Sequence, residues 1–330
     1  MTLTDRYIDY ISSVKRYSER TCRIYGESLG MFASFIFGKD APEDFSDSEM
    51  TENLIPQIIR SYEVHLLEDR GMTPRTVNLH MSVLSGFSRF LLRQGIISSN
   101  PVKAVARPKA GKRLPEFYRQ EAMEQYFHDT EPFAGEDFIY VSPVPGQTKE
   151  MYERRLRRAI VSVLHATGMR RSELIGLRIG NADFGRKVLK VRGKGDKMRE
   201  IPVTGPICKE ISLYLEAVET MVCGERTADS PLFVTFSGKA LYPGYVDRAV
   251  KAELGSVTGI TGRKSPHVLR HTLATELLNG GTDLNSIKEL LGHSSLAATQ
   301  VYTHNSIAKL KKVYESAHPR ATKNGGKNGD

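Results

Sequence analysis

The chain has 330 residues, 40% hydrophobic and 26% charged, which is the composition of a globular protein long enough for two domains. It contains no run of 18 apolar residues, which excludes a membrane-spanning helix. The first residues, MTLTDRYIDYISSVKRY, are polar and unlike a secretory signal, and the three cysteines form neither a CxxC pair nor an even set. We therefore expect reduced thiols and a cytoplasmic location.

The charge of the chain is basic, with 47 Lys and Arg residues against 38 Asp and Glu residues and a net charge of +9. A basic surface favours a polyanionic partner, most often a nucleic acid. A soluble basic protein without such a partner has the same overall charge. Charge alone therefore leaves both alternatives open.

The first hundred residues carry apolar side chains at three- and four-residue steps, which is typical of amphipathic helices. One helix is predicted over residues 18–38, another ends near residue 71, and a third covers residues 73–95 with a proline in its first turn. Strand patterns are scarce in this part of the chain. The sequence therefore predicts a small bundle of four or five helices.

A basic segment follows this helical part of the chain. Residues 98–114 contain no acidic residue, and Pro101, Pro108, Gly111 and the following Pro115 suit a linker between domains. A solvated tether is one interpretation. The more specific one, which we favour, is a basic strap that lies along a phosphate backbone. The basic residues of the segment are Lys103, Arg107, Lys109, Lys112 and Arg113.

The second half of the chain mixes helices with a few strands. A helix is predicted over residues 149–167, and a short one begins at Ser172. Alternating apolar residues predict a three-stranded antiparallel sheet from segments at 177–184, 188–191 and 201–203. Helices resume at about 206–222, 242–254 and 265–279, and we assign no function to the proline-rich loop at 131–147. The predicted fold class is mainly α with a small antiparallel sheet.

Two basic residues in this second half, Arg170 and Lys194, are candidates for contact with an anionic substrate. Arg170 lies between the end of one helix and the start of the next, where backbone N–H groups also attract anions. Glu173 could balance this arginine in a purely structural pair, which is the favoured interpretation for these two residues alone. Lys194 lies at a hairpin tip without the spacing of a P-loop, and is either an ordinary flexible lysine or a mobile proton donor.

The stretch from Ser265 to His304 concentrates histidine, arginine and tyrosine in short helical segments. His267 and Arg270 are three residues apart, which places them on one helix face and suits binding of a phosphate. Zinc is a weaker interpretation, because both an HEXXH pattern and cysteine pairs are absent. His293 follows the glycine that ends the next helix. Tyr302 comes later, and a tyrosine, whose ordinary pKa is near 10, is a poor nucleophile unless neighbouring cations or a base activate it.

Five segments together resemble one known family. They occur in the order TGMRRSEL, VRGKGDKMREIPV, PHVLRHTLAT, LLGHSS and VYTH. This order resembles the tyrosine recombinases of the phage-integrase superfamily over the whole chain, and the ending is most similar to the Xer-type recombinases. The resemblance implies a catalytic set of Arg170, Lys194, His267, Arg270, His293 and Tyr302. It also implies that Glu173 supports the first arginine.

The resemblance implies a defined chemistry and domain plan. Tyr302 attacks a DNA phosphate and forms a 3′-phosphotyrosine, the arginines hold the phosphate oxygens, and neither a metal nor another cofactor is needed. Residues 1–100 are expected to form a helical core-binding domain, residues 101–115 a basic linker, residues 116–320 an α+β catalytic domain and residues 321–330 a disordered tail.

The resemblance also implies partners. We expect double-stranded DNA at a specific site, a homo- or hetero-tetramer assembled on it, and a nucleoid-associated cytoplasmic location. The last helix, Ser306 to Ser316, either docks on a neighbouring subunit or packs in its own domain. Chromosome dimer resolution is the leading function. An integrase or invertase of a mobile element, a relaxing enzyme like type IB topoisomerases, and a non-catalytic DNA-binding protein of the same fold remain alternatives.

Overall fold

The computed structural model describes residues 1–38, 47–109, 111, 116–131, 147–193, 198–222 and 224–292. Backbone contacts divide the chain into two compact units, Met1–Arg113 and Leu114–Asp330, each of which is considered by itself. Several predicted functional residues and segments lie outside the described residues. These are Lys112, Arg113, Lys194, His293, Tyr302, the 306–316 helix and nearly all of the 131–147 loop.

The described part of the first unit is helical. Its helices are α1 (Leu3–Asp9), α2 (Glu19–Phe37), α3 (Asp47–Glu52), α4 (Pro56–Glu68) and α5 (Pro74–Arg93), with a π-helical turn at Tyr10–Val14 and a 3-10 turn at Pro101–Ala104. The starts follow local capping, because Ser18 Oγ accepts the N–H of Thr21 and Thr73 Oγ1 accepts the N–H of Thr76. The predicted helical bundle is confirmed, and α1 and α3 were not predicted.

The predicted linker at 101–115 begins with residues that belong to the bundle. Val102 and Val105 are buried in the core of the first unit. Arg107 is exposed, yet its Nη1 donates to Ser82 Oγ on α5 at 2.7 Å. This first part of the predicted linker is therefore not a solvated tether, because apolar burial and hydrogen bonds fix it along α5.

A buried histidine lies among three helices of the first unit. The Nδ1 of His80 on α5 is 2.8 Å from Ser28 Oγ on α2 and 3.4 Å from the hydroxyl of Tyr62 on α4. Burial lowers the pKa of His80, because the surrounding apolar side chains disfavour the imidazolium. The folded bundle therefore prefers the neutral ring.

This lowered pKa predicts acid sensitivity of the first unit. As pH falls below about 6.5, the unfolded histidine gains a proton before the folded one does, so the free energy of unfolding decreases. The slope contributed by His80 is at most about 1.4 kcal/mol per pH unit. Urea unfolding followed by far-UV circular dichroism, at about pH 7.5 and about pH 5.5, is expected to show this loss in wild type and less of it in His80→Gln.

The control for this measurement is His128→Gln, since the His128 side chain is 79% exposed. Its pH dependence should match that of wild type. An identical loss of stability in wild type and His80→Gln between the two pH values would contradict the assignment.

The described part of the second unit combines seven helices with one sheet. The helices are α6 (Gln120–Asp129), α7 (Gln147–Thr167), α8 (Arg171–Ile175), α9 (Gly205–Met221), α10 (Pro243–Glu253), α11 (Pro266–Asn279) and α12 (Leu284–Leu291). The strands β1 (Ala182–Asp183), β2 (Val188–Arg192) and β3 (Met198–Pro202) form an antiparallel sheet in that order. The helix α7 contacts α9, α10 and α11, so it is the centre of this core.

The sheet is smaller than predicted at its first strand. Residues 177–184 were expected to form a strand, but only Ala182–Asp183 pairs with β2, and Ile179–Asn181 is a 3-10 turn. The reason is that the backbone here bonds elsewhere: the N–H of Gly180 donates to the carbonyl of Ala228 at 2.8 Å. The three-stranded antiparallel sheet itself is confirmed. Within the described ranges, no helix combines the length and apolarity that a membrane span requires.

Candidate active site

The site begins where α7 ends. Gly168 follows the last residue of α7 and has a φ of +57°, a left-handed conformation that glycine adopts without a steric cost. A Cβ on Gly168 would lie 2.5 Å from Leu291 Cδ2 and 2.9 Å from Leu273 Cδ2. The absence of a side chain therefore lets the chain pass directly against α11 and α12. The chain then continues through Met169 to Arg170, the residue that precedes α8.

Arg170 is held by an acid in the first turn of α8. Glu173 Oε2 accepts the backbone N–H of Arg170 at 2.7 Å, and Glu173 Oε1 accepts from Arg170 Nη1 at 2.8 Å. Glu173 is buried, while the side chain of Arg170 remains 34% exposed. The contact that the sequence suggested is thus present, and the Arg170 side chain stays within reach of solvent.

A second arginine, which the sequence patterns did not predict to be part of the site, binds the same acid. Arg199 on β3 donates from Nη1 to Glu173 Oε1 at 2.8 Å and from Nη2 to Glu173 Oε2 at 2.9 Å. Burial by itself raises the pKa of Glu173, but hydrogen bonds from Arg199 and Arg170, with the charge of Arg199, lower it below its ordinary value. Glu173 is therefore a stable carboxylate at neutral pH.

The third arginine, Arg270 on α11, joins the ends of two helices. Its Nη1 donates to the carbonyl of Gly168 and its Nη2 to the carbonyl of Leu291, both at 2.6 Å. Arg170 Nη2 donates to the carbonyl of Gly292 at 2.8 Å. The last carbonyls of a helix lack partners within the helix and form the negative end of its dipole, so these two arginines stabilise the end of α12.

The cluster carries an excess of positive charge. Two guanidinium groups, those of Arg170 and Arg199, bind the single carboxylate of Glu173. The third, that of Arg270, binds backbone carbonyls beside them and lies close enough for the charges of Arg170, Arg199 and Glu173 to act on it. Desolvation and the charge of Arg170 lower the pKa of Arg270 to about 10, although Glu173 opposes them. Such a cluster favours an anion beside it, and guanidinium groups match phosphate oxygens in geometry.

His267 lies in the first turn of α11 and is exposed, whereas Arg270 on the same helix is buried. The two side chains were predicted to share one helix face, but His267 points to solvent and Arg270 to the core. Desolvation and the charge of Arg171 lower the pKa of His267, and His271, Arg263 and Arg270 add to the effect. The neutral imidazole, which can accept a proton, is thus favoured at neutral pH.

The remaining predicted site residues fall into two sets. Lys103, Arg107 and Lys109 are exposed on the first unit, while Lys112, Arg113, Lys194, His293 and Tyr302 are outside the described residues. In the part of the chain that the structure describes, no three His, Cys, Asp or Glu side chains lie close enough together to hold a metal ion.

Comparison with known proteins identifies the class of this chain. The model of the phage integrase family matches residues 147–309, a range that contains all six predicted catalytic positions. The tyrosine recombinase XerC of Chlorobaculum parvum is 35% identical over 318 residues, covering 96% of this chain and 94% of the relative. XerC of Bacillus pumilus is 35% identical over 330 residues, covering 97% of each. The chain therefore belongs to the phage integrase family, as a Xer-like tyrosine site-specific recombinase.

Solved structures share the fold. XerH site-specific recombinase bound to a palindromic difH substrate has a TM-score of 0.63 at 20% identity, with 94% of this chain and 83% of that chain covered. The Tn1549 transposon integrase in complex with transposon right end DNA has a TM-score of 0.62 at 18% identity, with 94% and 99% covered. The fold class and the family resemblance predicted from the sequence are confirmed.

Proposed function

We propose that this chain cuts and rejoins double-stranded DNA at a specific site through a 3′-phosphotyrosine on Tyr302, with Arg170 and Arg270 binding the phosphate that is attacked. The observation that carries the proposal is the cluster of Arg170, Arg199 and Arg270, in which two guanidinium groups share the carboxylate of Glu173 and the third lies within reach of their charges. Its excess positive charge suits the charge that develops on the phosphate oxygens during attack. Arg170 supplies the exposed donor.

The reaction balances without an external energy source. A bond forms between the Tyr302 oxygen and phosphorus, and the bond between phosphorus and the 5′ oxygen breaks. The phenol proton passes to the neutral imidazole of His267, and Lys194 gives a proton to the departing 5′ oxygen. Attack of another 5′ hydroxyl on the phosphotyrosine reverses these steps, because the covalent link keeps the energy of the phosphodiester.

The donors around the phosphate have different tasks. Arg170 and Arg270 neutralise the non-bridging oxygens, and His293 adds a further hydrogen bond. Loss of one preorganised donor of this kind typically costs about 3–4 kcal/mol of transition-state stabilisation. Since side chains supply this neutralisation, the reaction proceeds without a metal ion.

The DNA is bound by both parts of the chain in this proposal. The helical first unit and the exposed residues Lys103, Arg107 and Lys109 contact the phosphate backbone, and the second unit performs the reaction. Two duplexes and four subunits assemble for strand exchange, with the 306–316 helix docking on a neighbour. Chromosome dimer resolution is the favoured use, because relatives named XerC match over nearly the whole chain.

The decisive test follows the covalent intermediate. The substrate is a duplex selected from a random-sequence library for binding to this protein and then nicked near its middle, so that a cleaved end diffuses away. In EDTA, wild type is expected to yield a protein–DNA band on a denaturing gel, and Tyr302→Phe none, because the nucleophilic oxygen is removed while the DNA contacts remain.

The control is Tyr17→Phe, which removes the hydroxyl of a tyrosine that is 43% exposed on the first unit. It should form the covalent band like wild type. A covalent band that persists in Tyr302→Phe, or one that requires Mg²⁺, would overturn the proposed function.

A further inference from the structure

Arg199 has a position in the sheet that is unusual for an arginine. In β3, the side chains of Met198 and Glu200 face away from the core, and Arg199 lies on the same face as the buried Ile201, as the alternation of a strand requires. It pairs across the sheet with the buried Val191, and it is itself only 8% exposed. A charged side chain in such a place needs a compensating partner.

Its partner is saturated by the contacts around it. Glu173 Oε1 accepts from the Nη1 atoms of both Arg199 and Arg170. Glu173 Oε2 accepts from Arg199 Nη2 and from the backbone N–H of Arg170. A carboxylate has about four acceptor sites, and all are used here. The carboxylate therefore has no freedom to rotate, and the Arg170 guanidinium bound to it is fixed in turn.

The other face of Arg199 lies against the end of α12. A Cβ on Gly292 would be 3.0 Å from Arg199 Cζ and 3.1 Å from its Nε, and Gly292 has a φ of +66°. The carbonyl of the same glycine accepts from Arg170 Nη2. Arg199 thus touches both groups that hold Arg170: the carboxylate directly, and the Gly292 backbone by packing.

Stability alone does not account for a second arginine at this acid. Glu173 already has the charge of Arg170 beside it. Burial of a further guanidinium has a desolvation penalty that commonly exceeds the free energy gained from its attraction to the acid. Arg199 also leaves its Nε buried without a hydrogen-bond partner among the described residues. The arrangement increases the positive charge beside Arg170 and makes the acid rigid, which are both properties that anion binding requires.

We propose that Arg199 is a positioning residue of the recombination reaction: it locks Glu173 so that Arg170 presents its free donors to the phosphate in one fixed orientation. This inference rests on the proposed function, in which Arg170 binds the attacked phosphate. In this role Arg199 acts through Glu173 and Arg170 and does not itself bind the phosphate. Only an arginine suits the position, because a lysine cannot donate to both carboxylate oxygens in a planar, bidentate manner.

The test measures single-turnover cleavage of the nicked, binding-selected duplex. Arg199→Met and Arg199→Lys are expected to slow cleavage by about ten- to a hundredfold, the range found when a residue that orients another is lost. The affinity for the duplex should be unchanged, since Arg199 is buried. Combining Arg199→Met with Glu173→Gln should slow cleavage no further than either change alone, because both remove the same support of Arg170.

A matched control pairs an acid of the same strand, Glu200, with an arginine of the turn between β1 and β2. Arg186 donates to both carboxylate oxygens of Glu200 at 3.1 Å and 2.9 Å, so this pair has the same bidentate form but is exposed. Arg186→Met should cleave like wild type. In Arg199→Ala, added methylguanidinium should restore part of the cleavage rate by occupying the vacated place, and Arg186→Ala should show no such gain.

The outcomes separate the two proposals. If wild type forms no Tyr302-dependent covalent band, the proposed function fails. If wild type forms the band but Arg199→Lys cleaves at its full rate, or if the losses of Arg199→Met and Glu173→Gln multiply, the positioning role fails. Thermal unfolding of each variant identifies any that do not fold. If Arg199→Met does not fold, Arg199→Lys, which keeps the charge, and the methylguanidinium rescue of Arg199→Ala decide the outcome.

Discussion

Replacement of Arg270 by lysine is expected to slow DNA cleavage by roughly 10²–10³-fold, the cost of losing one preorganised donor to a developing oxyanion. Arg270 uses Nη1 and Nη2 on the carbonyls of Gly168 and Leu291, and in the proposed function the remaining N–H bonds of its rigid fork bind the phosphate. A lysine keeps the charge but cannot span both carbonyls and a phosphate. The measurement is the single-turnover cleavage rate of the nicked duplex.

The control for this prediction is Arg178→Lys, because Arg178 Nη1 also donates to a backbone carbonyl, that of Asp229, on an exposed part of the second unit. Its cleavage rate should equal that of wild type. An Arg270→Lys variant that folds and cleaves at the wild-type rate would show that Arg270 is only a structural link between α7 and α12.

The second large effect concerns stability. Gly168→Ala is expected to lower the free energy of unfolding by about 2–5 kcal/mol, which combines about 1–2 kcal/mol for a left-handed residue with a Cβ and about 1–3 kcal/mol for overpacking. The added Cβ would meet the side chains of Leu291 and Leu273 closer than real carbon atoms approach. Urea unfolding followed by far-UV circular dichroism measures the loss.

Gly281→Ala separates these two contributions. Gly281 has a φ of +80°, but a Cβ there would meet no atom within 4 Å. Its substitution should therefore cost only the left-handed part, about 1–2 kcal/mol. Equal losses in Gly168→Ala and Gly281→Ala would mean that the contacts of Gly168 with α11 and α12 are unimportant.

The fold was predictable wherever its signals are local. The starts of α2 and α5 are marked by Ser18 and by Thr73 with Pro74, and a capping side chain acts within three residues of itself. The predicted strand at 177–184 was too long because its backbone bonds to residues about fifty positions later, near Ala228. Partners at such a distance leave no trace in the apolar pattern.

The candidate site was predictable in its side chains but not in its backbone. The resemblance pointed to Arg170, Glu173 and Arg270, and the structure brings them together. The burial of Arg199 could have been predicted, since in the strand MREIPV it is two residues from the apolar Ile201 and so lies on the same face. The carbonyls of Gly168, Leu291 and Gly292 could not be predicted, because every residue has a carbonyl and only the packing of α7, α11 and α12 selects these three.

The two bidentate pairs along β3 differ in how they respond to ionic strength. At physiological salt the screening length is about 8 Å, and screening acts on charges in water far more than on buried ones. Salt therefore weakens the exposed Arg186–Glu200 pair and also the contacts between lysines or arginines and DNA, whose affinity falls steeply as salt rises. The buried Arg199–Glu173 pair is shielded from these ions. Ionic strength thus sets the affinity for DNA, while the arrangement of Arg199 and Arg170 around Glu173 persists in the protein before DNA binds.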